Sequence, residues 1–447
     1  MSNQHETYDL VGIGFGPSNL SLAIALKEYE ANGQENGIST LFFERQSSFG
    51  WHRNMLLPST TMQISFLKDL VTFRNPTSGF SFISYLHASG RLPQFVNNQD
   101  FFPTRQEFHQ YLEWAEERMA GRVAYCSEVT SIRLPSGTVP ELSDRLRLEV
   151  TDAAGRVGRV VEARNVVIST GLVPRMPEGI ERDERVWHSS EFLQKYRRMN
   201  PGDLRRVAVV GAGQSAAEIT RFLHDELPHA EVWVVIPSYG YSVADDTPFA
   251  NQIFDPEAVD DYYFGTEQTR DAFWRYHRNT NYSVVDDEVI RDLYRRVYDA
   301  EVRGIKRLQI LNLTRITGVK RAAAETRVEL QVGPDSEVRE LDVDALVCAT
   351  GYDGMEPTHL LGDLDRLCLR DKAGRHQIER DYRIATAPEM RCGIYLQGGT
   401  EHTHGLSSSL LSNIAVRSGE IADSIVSRRA RHNSEYALAA GAEGDTC

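Results

Sequence analysis

The chain has 447 residues, 41% of them hydrophobic, and a formal net charge of −14. That length holds two or three domains of about 100–200 residues each, and the acidic balance argues against a long nucleic-acid partner, which needs a basic face. Five cysteines (Cys126, Cys348, Cys368, Cys392 and Cys447) with no CxxC pair offer neither a disulfide framework nor a zinc site and suit a reducing cytosol. The polar start, Met1 to Thr7, shows no signal-peptide pattern, and without a run of about 18 apolar residues no membrane span is expected.

The first element is the apolar run Tyr8 to Ile13, which reads as a buried strand. A glycine-rich turn follows, then a helix from Leu20 to Leu26, then a strand from Thr40 to Phe43 that ends at Glu44. This is a strand-turn-helix-strand unit, which favours a parallel sheet. From Trp51 to Phe102 the aromatic, Ser- and Asn-rich pattern predicts long loops and short helices. Phe108 to Met119 predicts an amphipathic helix, and strands follow at Glu128–Arg133, Leu146–Asp152 and Asn165–Ser169.

The same unit then restarts. Arg206–Val210 is a strand, Gly211–Ser215 a turn, Ala216–His224 a helix and Glu231–Ile236 the next strand. Two copies in one chain predict two nucleotide sites; the alternative is one site plus a structural repeat. Residues 246–300 are polar, aromatic and predicted helical. Strands return at Val328–Val332 and Ala345–Cys348, and Gly405–Val426 reads as a last helix. The charged, Ala/Gly-rich tail from Arg428 is expected to be disordered.

The first turn is Gly14-Phe15-Gly16-Pro17-Ser18-Asn19. Gly14 permits a tight turn, and Gly16 lets the backbone approach a pyrophosphate at the helix N-terminus. Asn19 stands where a third glycine is usual. Glu44, at the end of the next strand, can accept from ribose hydroxyls and would repel a 2′-phosphate; alone, it is also an ordinary strand-end charge. The second turn, Gly211-Ala212-Gly213-Gln214-Ser215-Ala216, has a small residue at the packing position. The strand after it ends at Pro237 with no carboxylate, which favours NADPH over NADH, although no arginine sits there either.

These turns, together with Ala349-Thr350-Gly351-Tyr352-Asp353 after an apolar strand, resemble the class B flavoprotein monooxygenases. Within them the chain is most similar to the ornithine N-hydroxylases of siderophore and related nonribosomal peptide biosynthesis, from about Tyr8 to Ser427. The blocks Met62 to Leu70, Asp246 to Phe249, Asn279 to Tyr282 and Thr403 to Leu406 carry that resemblance. It implies an α/β fold with two Rossmann-like dinucleotide-binding domains and a smaller, mainly helical substrate-binding region. Residues 1–175 and 345–447 would bind FAD, 176–245 and 301–344 would bind NADPH, and 246–300 would form the substrate region.

By the same resemblance, Gly14, Gly16, Asn19, Glu44, Trp51, His52, Met62, Gln63, Val129, Ser409 and Leu410 belong to the FAD site. Gly211, Gly213, Gln214, Ser215, Asn281 and Ser283 belong to the NADP site. Lys68, Asn251, Asn281 and Ser412 belong to the ornithine site, and no metal is implied. The implied reaction takes L-ornithine, NADPH and O2 to N5-hydroxy-L-ornithine through a C4a-hydroperoxyflavin, in a cytoplasmic homo-oligomer, dimer or tetramer. Relatives carry an arginine for the 2′-phosphate where this chain reads Pro237-Ser238-Tyr239.

Read from the residues alone, Lys68 sits in an apolar run, and a buried lysine is costly without an anion. Its partner is either a substrate carboxylate or, in the ordinary reading, Asp69 or a surface carboxylate. Asn251 and Asn281 can donate and accept without adding charge. The side-chain amine of ornithine, with a solution pKa near ~10.4 like lysine, must lose its proton to react; a dry pocket favours the neutral form. His404 reads as structural. One alternative is lysine N6-hydroxylation, because a methylene is worth only about 1–3 kcal/mol of selectivity. A disulfide reductase is excluded by the lack of a redox cysteine pair. A flavin-binding protein without turnover would not need the second turn.

Overall fold

The computed structural model describes residues 6–31, 37–135, 143–321, 325–388 and 390–444, with side chains to 430. Strand β1 (Glu6–Ile13) leads into helix α1 (Pro17–Ala31) and strand β2 (Thr40–Phe43). Leu10 and Val11 are fully buried, so this strand is covered on both faces. Helix α1 is buried almost all round in its first half because a later helix lies over it.

Short helices α2 (Phe82–Ala88) and α3 (Leu92–Asn98) precede α4 (Arg105–Glu117), whose N-cap Thr104 accepts from the Glu107 amide at 3.1 Å. Phe66, Phe82, Phe95, Phe108 and Tyr111 interlock across these segments. That aromatic cluster holds the loop-rich stretch in place. Strands β3 (Val123–Ala124), β4 (Ser127–Arg133), β5 (Leu146–Asp152) and β6 (Val157–Ile168) complete the first half.

The second half contains β7 (Val186–His188), β8 (Arg206–Val210), α5 (Gln214–Glu226) and β9 (Glu231–Val235). Helices α6 (Pro256–Phe264), α7 (Glu267–His277) and α8 (Asp287–Val302) follow, as the 246–300 pattern predicts. Then come β10 (Leu308–Leu311), β11 (Arg315–Arg321), β12 (Thr326–Val332), β13 (Glu337–Val343), β14 (Ala345–Cys348), β15 (Gly393–Leu396) and α9 (Ile414–Gly444).

The first sheet runs β3-β2-β1-β6-β5-β4, with β15 also on β6. Its β1–β2, β1–β6, β2–β3 and β6–β15 pairs are parallel, and β4-β5-β6 is an antiparallel extension. The second sheet runs β10-β9-β8-β14-β7, all parallel. A third, antiparallel sheet is β11-β12-β13. Each parallel sheet has its own apolar core.

Three expectations change. The resemblance groups strand β14 with the first unit, but it pairs with β8 and β7 inside the second sheet. Its four residues are buried on both faces, which only an interior strand allows. The last helix starts at Ile414 rather than Gly405, after short 3-10 turns, and it continues to Gly444 where disorder was expected. The Ala-, Glu- and Arg-rich tail has high helix propensity. Strands β11 and β13 were not foreseen, because their exposed charged faces blur the period-two signal. Among the described residues Cys126 is exposed, Cys348, Cys368 and Cys392 are buried, and all four are free. No described helix is long and apolar enough to cross a membrane.

Candidate active site

Each glycine turn sits at the C-terminal edge of its sheet, where β1 meets α1 and β8 meets α5. At the first, Gly14 has φ +80°, and a Cβ there would lie 2.4 Å from the Ser169 carbonyl oxygen. Only glycine fits. A Cβ at Gly16 meets nothing within 4 Å, so open space faces the N-terminus of α1, as a pyrophosphate requires.

Asn19 is fully buried and points into the turn, not into that space. Its Nδ2 donates to the Gly14 carbonyl at 2.7 Å, and its Oδ1 accepts from Gln397 Nε2 at 3.0 Å. Room for it comes from Gly12, where a Cβ would sit 2.2 Å from the Phe42 ring and 3.0 Å from Asn19 Nδ2. The usual third glycine is thus replaced by a side-chain lock on the loop. Glu44 is also buried and accepts one amide at each oxygen, from Phe15 at 2.8 Å and Gln46 at 2.9 Å. A carboxylate has about four lone-pair sites, so two remain for ribose hydroxyls.

At the second turn, Gly211 has φ +143°, and a Cβ would lie 2.3 Å from the Ala349 carbonyl oxygen. Strand β14 therefore delivers the Ala349–Tyr352 turn directly against the glycine loop. Ser283 has φ +59°, and its Cα is 3.9 Å from a Cβ built on Gly213. The turn opens into a cavity of about 1650 Å³, lined by Gly211–Ser215, Gln63, Asn281, Ser283, Glu401 and Ser409 among others. The end of β9, with Pro237 on the wall, carries no acid. Arg275, Arg278 and Lys372 line the same cavity, and among the described residues none of them is ion-paired. A dinucleotide with a 2′-phosphate fits this lining; one with only ribose hydroxyls finds no carboxylate at the strand end.

Polar bridges join the two units at this edge. Gln63 Nε2 and Gln214 Nε2 donate to opposite oxygens of Asp286 at 2.9 and 2.8 Å. Asp286 in turn donates its amide to Gln214 Oε1 at 2.9 Å. Deeper, Arg105 on α4 makes a two-pronged pair with Glu218 on α5, both contacts 2.9 Å, and donates to the Met55 carbonyl at 3.1 Å. The Glu218 side chain is 1% exposed.

Lys68 does not pair with Asp69. That carboxylate is buried and saturated by the amides of Val71, Thr72 and Phe82 and by the Thr72 hydroxyl. Lys68 is half-buried, with Nζ 5.6 Å from the Phe254 ring centroid and, among the described residues, no ion pair. Burial pulls its ammonium pKa down, and the nearby charge of Asp255 partly offsets this. Asn251 Nδ2 donates to the Asp246 carbonyl at 2.7 Å, which leaves its Oδ1 open.

Asn281 and Ser409 line the cavity; Lys68, Asn251 and Ser412 do not. Ser412 is buried, and its hydroxyl has no hydrogen-bond partner among the described residues. Met62 is buried in the aromatic core beside Gln63. The Trp51 and His52 rings meet edge-on at 4.7 Å, and His52 faces Tyr352 on the cavity wall. Val129 is a buried strand residue next to a register shift. Leu410 is half-buried just before α9.

Sequence reasoning missed Glu401. It lines the cavity and accepts from Tyr282 Oη at 2.5 Å. Burial pushes its carboxyl above the usual range, opposed by hydrogen bonds from Tyr282 and Ser409. The available signal was its position just before the Thr403–Leu406 block. His404 is buried, stacked on Tyr382 at 4.1 Å and held near pKa about 3 by burial, as befits a structural residue.

A family model for L-lysine 6-monooxygenase/L-ornithine 5-monooxygenase matches residues 6–354. An L-ornithine N(5)-monooxygenase of Burkholderia cepacia is 42% identical over 414 residues, covering 90% of this chain and 91% of its own length. One from Pseudomonas aeruginosa is 36% identical over 444 residues, covering 97% and 98%. Among solved structures, the ornithine N-hydroxylase of Kutzneria sp. 744, with reduced FAD, NADP+ and L-ornithine, superposes with a TM-score of 0.90. It is 61% identical and covers 95% of this chain and 100% of that one.

Proposed function

The chain belongs to the L-lysine 6-monooxygenase/L-ornithine 5-monooxygenase family, and on that premise we propose that it hydroxylates the side-chain amine of L-ornithine. L-ornithine, NADPH, O2 and a proton give N5-hydroxy-L-ornithine, NADP+ and water. The first glycine turn, with open space before Gly16 and an acid at Glu44, would hold FAD. The second, with Gly213, Gln214 and Ser215 on the cavity wall, would hold NADPH. Bound FAD supplies hydride acceptance and O2 activation.

The chain's own residues would bind and orient. The observation that carries the substrate reading is Lys68, a half-buried cation without an ion pair among the described residues, beside an Asp69 that is already saturated. It has the charge and the vacancy to pair with an α-carboxylate. Asn281 on the cavity wall and Asn251 through its free Oδ1 would orient the α-amine. Removal of the amine from water favours the neutral form that attacks oxygen, and the bridges across Asp286 and Glu218 would keep the two units registered while water is excluded.

The test is to incubate the holoenzyme with NADPH and O2 and to assay hydroxylamine from ornithine and lysine side by side. Product from ornithine alone is expected. Product from lysine instead replaces the substrate and keeps the flavin chemistry; NADPH oxidation without product from either refutes the substrate reading.

A further inference from the structure

Helix α9 carries Arg417 on its first turn, and that side chain is 2% exposed. A guanidinium stays charged in proteins, and a buried charge needs a counter-charge. None is present among the described residues: no carboxylate lies within 4.0 Å of it. Glu420, the acid that acts on it electrostatically, is held from both oxygens by Arg380 at 2.8 Å. Neighbouring His404 is neutral. Arg417 Nη1 donates to the carbonyls of Ser408 and Leu410, and Nη2 lies 3.4 Å from Ser18 Oγ. Its Nε, though buried, has no hydrogen-bond partner among the described residues.

Ser18 places this cation. It is the second residue of α1, two past Gly16, in front of which the space is open. The N-terminus of a long helix favours an anion through its free amides and dipole. A buried, unpaired cation beside the same turn is an independent observation pointing to the same ligand charge. Among the described residues, the hydroxyls of Ser408 and Ser412 are also buried without hydrogen-bond partners. The forked guanidinium suits phosphate oxygens.

We propose that Arg417 is the counter-cation of the FAD diphosphate, so that FAD binding neutralises a charge the fold buries in advance. This rests on the reading that the first turn holds FAD. It adds a residue almost 400 positions from that turn, at |i−j| = 399, and it makes α9 a working part of the cofactor site.

The experiment compares wild type, Arg417→Gln and Arg417→Lys as holoenzymes. FAD dissociation on dilution is followed by the rise of free-flavin fluorescence, and the flavin midpoint potential is measured on each. The glutamine keeps a donor for the Ser408 and Leu410 carbonyls but removes the charge. We expect its FAD Kd to rise by about 10- to 100-fold, the scale of one charge-assisted hydrogen bond. The lysine should recover most of that loss, and the midpoint potential should not move. Three results overturn the proposal. An unchanged Kd in both variants, with only a lower unfolding temperature, makes Arg417 a clamp on the Ser408–Leu410 loop. A shifted potential with an unchanged Kd puts the charge at the flavin ring instead. Equal loss in the glutamine and lysine variants means that charge is not what matters. A wild-type protein that binds no added FAD refutes the FAD reading itself and is seen before any variant is compared.

Discussion

The two glycine turns share one geometry and differ in what surrounds them. The first is braced by side chains behind the loop, with open space before Gly16. Asn19, Gln397 and Glu44 spend their polar atoms on the loop backbone or on each other, and α9 lies across the helix it starts. The second opens into a cavity of about 1650 Å³ whose wall carries, among the described residues, cations without an ion pair and no acid at the strand end. The same strand-turn-helix unit is thus braced by its neighbours in one copy and opens onto a cavity in the other. The difference lies in the residues around the turn, not in the glycines.

The largest test removes the bridge between the two units. Glu218→Ala strands the buried Arg105 guanidinium, and losing one member of a buried pair costs about 3–5 kcal/mol. The unfolding midpoint should fall steeply and both nucleotide affinities should weaken together; loss at one turn only would mean the units are not coupled there. Next, Lys68→Ala should raise the ornithine KM by about 10- to 100-fold and leave basal NADPH oxidation unchanged. An unchanged KM in steady-state assays removes Lys68 from the substrate site.

The glycines sharpen the comparison directly. A methyl at Gly16 enters open space, and one at Gly213 nears only the Ser283 Cα at 3.9 Å, so neither disturbs the fold. Gly16→Ala should weaken FAD retention about tenfold or more and spare the NADPH KM; Gly213→Ala should do the reverse. Crossed effects in fluorescence and kinetics would break the assignment of one nucleotide to each turn.

The smallest effect is a pH dependence at Glu401. Folding raises this carboxyl above its unfolded value, so its stabilising contribution is complete below the unfolded range and is lost as pH climbs through the folded value. Glu401→Gln should therefore raise the unfolding midpoint at neutral pH and leave it unchanged below about pH 4. A lower midpoint at neutral pH would show that the ionised carboxylate is what Tyr282 and Ser409 hold in place.

Much of the fold was legible. Strand β1, both glycine turns, β8 and β9 were read within a residue or two, because buried parallel strands and φ-positive glycines leave local signals. Strands β11 and β13 were not, since solvent-facing charges carry no such period. In the site, Lys68 was open between a substrate carboxylate, Asp69 and a surface carboxylate, and only the four donors converging on Asp69 removed that choice.

The sequence by itself determined the two nucleotide turns, the missing acid after β9 and the lack of a redox cysteine pair, because each is a local pattern of residue type and spacing. The tertiary structure alone decided the rest. It seats β14 in the second sheet, joins Arg105 to Glu218 at |i−j| = 113 and Tyr282 to Glu401 at |i−j| = 119, and brings Arg417 onto Ser18. Such pairs leave no periodic trace. They exist because burial forces polar groups from distant elements to satisfy one another where the elements happen to pack.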